Sequence, residues 1–352
     1  MPILFTPVRP DLSVAAMLGY AAFAFAVGLL LTPYFVNFLR RNRLGKQLRL
    51  ETIDGRDPTV FRKYHSEKGG TPTMGGILIW GSIFLTVFLS RLFSYFGVVE
   101  HSLLQRGQVY LPLFVLLALG ILGAVDDYLN IAGIGKRGLG WLPKLFFLLL
   151  VSGGCALWFY WKLGYNEIHV PFYGSFAVGW WYIPIFIFII IATANAVNFT
   201  DGLDGLASGL LLIAFLSFGV LAYIENLSVL AAFCAVCAGA IAAFLWHNVP
   251  PALFFMGDTG SLALGGALGV IALMTDEVLL LPFIGFIFVI EMLSVIIQLT
   301  SKKLRGGKKV FLAAPIHHHF EALEWGESKV TMRFWIIGAF FAFLGIILGV
   351  FG

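Results

Sequence analysis

Three observations predict an all-α integral membrane protein with ten transmembrane helices and both termini periplasmic. Only 12% of the 352 residues are charged and 59% are hydrophobic, with a mean hydropathy of +0.91, whereas a soluble domain carries roughly 25% charged residues. Apolar stretches approaching the about 20 residues that cross a bilayer recur along the whole chain. Lys and Arg, finally, are confined to alternate loops. This composition excludes a secreted disulfide scaffold, a disordered chain and a soluble Rossmann-type enzyme. Cys155, Cys234 and Cys237 all sit in apolar runs and read as small packing residues, because the Cys234-x-x-Cys237 pair has no second ligand pair nearby.

The expected spans are 14–39, 73–93, 109–125, 143–161, 178–197, 206–224, 228–246, 261–274, 278–300 and 332–351. The first is too long for a signal-peptide core and reads as an uncleaved anchor. The eighth is short and glycine-rich. Between the fourth and fifth, 165–175 alternates in polarity and predicts a short hairpin. No repeat or linker divides the chain, so 1–352 reads as a single polytopic domain. Nineteen of the 23 basic residues fall in 40–68, at Lys136, Arg137 and Lys144, and in 302–333. Those loops are therefore expected on the cytoplasmic side. The net charge of +4 reflects this bias and anionic partners at the inner leaflet. Basic runs and aromatics are not interleaved, so no nucleic acid is expected as a partner.

The polar clusters gather on that same side: 65–76 (HSEKGGTPTMGG), 125–128 (VDDY), 195–207 (NAVNFTDGLDGLA), 246–261 (WHNVPPALFFMGDTGS) and 315–321 (PIHHHFE). A transporter would place its key polar groups near the bilayer midplane. Carboxylates at helix mouths instead suit interfacial chemistry, with the active site at the cytoplasmic face. Asp126 and Asp127 close the third span and point about 100° apart, so they are expected to serve a ligand differently. Asp201 and Asp204 share a face if a helix begins there, as do Asn195 and Asn198 one turn earlier; one of the four is expected only to cap or turn. Asp258, between Gly257 and Gly260, reads either as a helix cap or as a metal ligand. Sparse carboxylates without paired Cys or spaced His fit Mg²⁺ far better than Zn²⁺. His317, His318 and His319 lack the i, i+4 spacing of a zinc pair; beside Lys302, Lys303, Arg305, Lys308 and Lys309 they read as phosphate or sugar contacts rather than a solvated loop. Lys68, in a glycine-rich loop that is not a P-loop, is a similar candidate. Glu291, the one acid deep inside a span, reads as a structural partner or groove-lining residue.

VDDY, NFTDGLDGLA and FMGDTGSLALGG together resemble the polyprenyl-phosphate N-acetylhexosamine-1-phosphate transferase superfamily. TPTMGG and PIHHHFE are similar to its muramoyl-pentapeptide branch, and the resemblance covers essentially the whole chain. It implies that undecaprenyl phosphate attacks the β-phosphate of UDP-N-acetylmuramoyl-pentapeptide, that UMP leaves, and that Mg²⁺ is the cofactor. It further implies that Asp126, Asp127 and Asp258 are catalytic, with Asp258 the metal ligand. Lys68, Asp204, Asn248 and Phe255 would line a uracil pocket, and Thr73, Asn198, Asp201 and Gly257 the ribose-phosphate part. His317, His318 and His319 would face the diphosphate and the sugar-peptide end. Because the acceptor phosphate is already an anion, a direct displacement is expected. The expected partners are these two substrates and membrane lipid, with a homodimer left open as the assembly. Competing readings are a sister transferase using UDP-N-acetylglucosamine, which HHHFE disfavours, a transporter and a scaffold.

Overall fold

The computed structural model describes residues 12–45, 70–99, 101–104, 107–134 and 138–352. Its helices are α1 (Val14–Arg41), α2 (Gly76–Tyr95), α3 (Tyr110–Ile131) and α4 (Trp141–Leu157). They are followed by α5 (Tyr182–Thr200), α6 (Leu206–Ile224), α7 (Ser228–Asn248), α8 (Asp258–Met274), α9 (Leu281–Ile284), α10 (Phe286–Leu304), α11 (Ile316–Ala322) and α12 (Glu327–Phe351). Eight helices among the described residues are long and apolar enough to cross a membrane, or nine if the bent pair 278–284 and 286–304 is one span. The chain is thus an integral membrane protein by the length and composition of its helices.

Three differences from the sequence expectation have local causes. The ninth span is not straight: the chain bends by 83° between 278–284 and 286–304, where Gly285 leaves helical geometry as the C-cap of α9. The second helix starts at Gly76, not 73, because Met74 takes a φ of +69° and its neighbours pair with another strand of chain. The third helix runs on to Ile131, so Asp126 and Asp127 lie inside its final turns rather than closing it.

Helix α8 is 17 residues long, about 26 Å at 1.5 Å per residue, short of a hydrocarbon core of about 30 Å. It has no need to match the bilayer, because every residue from Thr259 to Met274 is buried. Its neighbours are α3, α5 and α2. Glycines at 260, 265, 266 and 269 let them close on it. Around this axis the helices run up and down. The ends of α3, α5 and α7 therefore meet the starts of α4, α6, α8 and α12 at one end of the bundle.

The opposite end carries the predicted hairpin, β1 (Glu167–Val170) paired antiparallel with β2 (Gly174–Ala177), with His169 opposite Ser175. His169 Nδ1 lies 3.4 Å from Glu277, and its N–H donates to Asp276. Burial pushes Glu277 up to about 7 and Asp276 up to about 6. Phe172 N donates to the carbonyl of Gly352, tying the chain end to the hairpin.

Candidate active site

Site geometry begins at the start of α8. A helix N-terminus leaves backbone N–H groups without partners, and the residue before this one is Gly257, which has no side chain to cap them. Asp127 supplies the cap from another helix. Its Oδ1 accepts the N–H of Asp258 at 3.2 Å, and its Oδ2 accepts the Thr259 N–H at 3.0 Å and the Thr259 hydroxyl at 2.6 Å. Gly257 has a φ of +73°, and a Cβ there would strike Asp127 Oδ2. Only glycine fits both demands. The cap reading weighed for Asp258 therefore belongs to Asp127.

Asp258, relieved of capping, points its carboxylate elsewhere. Oδ2 lies 2.6 Å from Lys144 Nζ, and Oδ1 accepts from Asn198 Nδ2 at 2.7 Å. Asn198 also donates to Ser261 Oγ at 2.9 Å. Lys144 reaches Asp126 at 3.3 Å, and Asp126 Oδ1 accepts the N–H of Leu139 at 2.7 Å. The adjacent carboxylates of Asp126 and Asp127 thus hold different partners, as their angular separation predicted. One oxygen from each of Asp126, Asp127 and Asp258 lies within 4.8 Å of the others. Three carboxylates, when ionised, face one ammonium, an excess of two negative charges. This hard, all-oxygen donor set fits a divalent cation such as Mg²⁺.

The glycine-rich segment at 71–76 is laced to this site through its backbone. Phe255 N donates to Pro72 O at 2.8 Å, while Gly75 N and Gly76 N donate to Phe255 O and Met256 O. Thr73 is buried beside Gly257. Lys68 lies outside the described residues.

A second polar cluster forms where α5 gives way to α6. The helix does not begin at Asp201; that residue caps the C-terminus of α5, so Asp201 and Asp204 sit in a turn and not on one helical face. Asp204 accepts the N–H of Ala252 at 3.0 Å, and its own N–H donates to Glu327. Asn248 Oδ1 accepts from Gly205 N and Ser208, and its Nδ2 donates to Phe254 O. Asn195 bonds back to Ile191 O in its own helix, a local role.

The three histidines lie on a seven-residue helix, α11, and do three different things. His317 is fully buried against Glu291 at 3.0 Å. His318 Nδ1 is 2.6 Å from Glu321. His319 Nδ1 accepts the N–H of Leu312, which places its neutral-ring proton on Nε2. Lys144 is the functional residue that sequence reasoning missed, having counted only towards topology. Its signal was available: a lysine in the first turn of an apolar helix opposes the helix dipole, so local carboxylates must hold it there. Glu327, Thr259 and Ser261 gave no such signal.

If Asp127 caps α8, then Asp127→Ala should destabilise the protein by about 1–2 kcal/mol, read as a lower Tm in detergent without substrates. Asp258→Asn, which keeps an acceptor for Asn198, should melt close to wild type. A wild-type Tm for Asp127→Ala would rule out the cap.

Residues 109–276 match the family described as Glycosyl transferase family 4. A phospho-N-acetylmuramoyl-pentapeptide-transferase of Chloroflexus aurantiacus is 39% identical, over 98% of this chain and 92% of that protein. Relatives of the same name from Geobacillus thermodenitrificans (41%, 92% of this chain and 95% of the relative) and Bacillus anthracis (39%, 95% and 98%) are similarly close. Likeness at this level along nearly the full length settles the family: the chain belongs to the phospho-N-acetylmuramoyl-pentapeptide-transferases.

Proposed function

We propose that this protein transfers phospho-N-acetylmuramoyl-pentapeptide from UDP-N-acetylmuramoyl-pentapeptide to undecaprenyl phosphate, yielding lipid I and UMP in the bacterial cytoplasmic membrane. The observation that carries the reading is the meeting of Asp126, Asp127, Asp258 and Lys144 at one end of the bundle. An acceptor phosphate oxygen bonds to the donor's β-phosphorus, while the bond from that phosphorus to the bridging oxygen breaks and its electron pair leaves with UMP. A phosphate monoester has a second pKa of about 6, so the acceptor needs little deprotonation. The greater task is to bring two anions together.

In this reading Asp258 and Asp126, with Asp127 behind them, would hold Mg²⁺. That ion supplies positive charge to the phosphate oxygens. Lys144 already lies between Asp126 and Asp258 and adds a cation of the chain's own. Asp127 accepts three hydrogen bonds at the start of α8. A carboxylate so occupied is a poor nucleophile, which supports direct displacement over an aspartyl intermediate. Thr73, Asn198, Asp201 and Gly257 would surround the ribose and phosphates. Phe255 would stack on uracil, and Lys68, as the resemblance implies, would contact it; Asp204 and Asn248, bonded to backbone, would shape the pocket wall. His318 and His319 would meet the diphosphate and the sugar-peptide end; His317, expected there with them, is instead fully buried against Glu291.

The prenyl tail needs an apolar bed. A cavity of about 300 Å³ between α5, α8 and the broken α9–α10 pair is lined by Phe188, Ala192, Leu281, Phe288, Met292 and Ile296. The break at Gly285 opens this groove beside the bundle. We count ten spans, taking α8 and the bent pair as one each. Both termini then face the periplasm and the site faces the cytoplasm, a placement supported by the distribution of Lys and Arg.

UMP release from UDP-N-acetylmuramoyl-pentapeptide should require both undecaprenyl phosphate and Mg²⁺, and Asp258→Asn should lower it by about 10³-fold or more, as losing a charge-stabilising group does. Full turnover in that variant would remove Asp258 from the chemistry, and UMP release without lipid would contradict direct attack. Cysteines placed at exposed Ser328, beside the site, and at Tyr173, on the hairpin, should react with impermeant reagents from the cytoplasm and the periplasm respectively. The reverse pattern would overturn the orientation.

A further inference from the structure

Glu291 and His317 form a pair that the transfer described above does not use. His317 Nδ1 lies 3.0 Å from Glu291 Oε2, and both side chains are 0% exposed. The carboxylate comes from α10 and the imidazole from α11. Each has one atom left over: Glu291 Oε1 and His317 Nε2 are buried without a hydrogen-bond partner among the described residues. Buried polar atoms are rarely left so, and those that are call for a functional explanation. His317 Nε2 is pressed against Gly202, where a Cβ would collide with it. Gly202 lies two residues beyond the end of α5, in the turn flanked by Asn198 and Asp201 on one side and Asp204 on the other.

We propose that Glu291 is a positioning residue for the transfer: by holding Nδ1–H of His317 it fixes the ring with Nε2 bearing on the Gly202 turn. Through that turn the pair sets the attitude of Asn198, whose amide holds Asp258. The inference rests on the transferase reading and deepens it. Helix α10 presents Phe288, Met292 and Ile296 to the apolar groove and Glu291 to a different face. The acceptor's expected bed and the turn beside the nucleotide are thus braced by one helix.

Charge follows the same geometry. Burial alone would lower the pKa of His317. The charge and hydrogen bond of Glu291 on α10, with Glu321 on α11 and Glu327 on α12, more than reverse that and raise it. The neighbouring ring is His318, 4.1 Å away. These groups favour the imidazolium more than burial alone would allow, and the stability they contribute is lost as pH rises through the raised folded value.

The test compares Glu291→Gln, Glu291→Asp and Gly202→Ala with the full-length enzyme in detergent. Glu291→Gln keeps an oxygen for Nδ1–H but removes the charge. Its kcat should fall about tenfold or more while KM for the nucleotide-sugar stays within about twofold, the signature of an interaction that matters at the transition state. Its alkaline limb should move to lower pH, Glu291→Asp should recover part of the rate, and Gly202→Ala should reproduce the loss. Ring ¹⁵N spectra of histidine-labelled enzyme, assigned by His317→Gln, should show Nδ1 staying protonated to higher pH in wild type than in Glu291→Gln. That readout does not depend on turnover, so an inactive wild type would count against the transferase reading and not against the pair. Wild-type kcat and pH profile in Glu291→Gln, activity lost only in step with folded protein, or a freely titrating Nδ1 would each overturn the proposal.

Discussion

The start of α8 depends on a carboxylate borrowed from α3. Because Gly257 leaves that helix end without a cap, Asp127 must satisfy its N–H groups, and in doing so it fixes the depth at which α3 and α8 meet. Everything else at the site follows from that contact. Asp258, as the first helical residue, is turned towards Lys144 and Asn198. The positive end of the α8 dipole then favours the negative charge that collects there. Remove the cap and the three carboxylates lose their common reference.

The bundle is arranged to hold this helix still. A short, fully buried α8 meets only protein along its length, so the site's central element is insulated from changes in bilayer thickness. In the proposed reading the acceptor's prenyl chain lies elsewhere, in the apolar groove beside the bend at Gly285. Rigid chemistry and a lipid-facing groove are thus built from adjacent helices. The Glu291–His317 pair joins them.

Periodicity and charge made the helical framework legible. Nine of the ten expected spans correspond to one unbroken helix each, including the short eighth, because apolar runs bounded by polar motifs leave few alternatives. The bend in the ninth was missed, since Pro282 and Gly285 in an apolar run look tolerable until neighbours decide which way the chain turns. In the site, the proximity of Asp126, Asp127 and Asp258 was legible only as a one-sided collection of motifs. That Asp127 caps α8 depends on two residues 131 positions apart in sequence, which no local pattern encodes. Lys144 was overlooked because its charge had a topological explanation. Glu291 was expected as a structural partner or a groove-lining residue; the structure pairs it with His317, which could not be named until α11 folded back over α10.

We propose that Asp126, Asp127 and Asp258 form one divalent-cation site built on the start of α8. Mn²⁺ binding to substrate-free enzyme, followed by electron paramagnetic resonance, tests it without reference to turnover. Wild type should bind one ion per chain, competed by Mg²⁺, and Asp258→Asn should weaken that binding by at least about tenfold, as the loss of one ligand carboxylate implies. Equal affinity in wild type and in all three single Asp→Asn variants would contradict it.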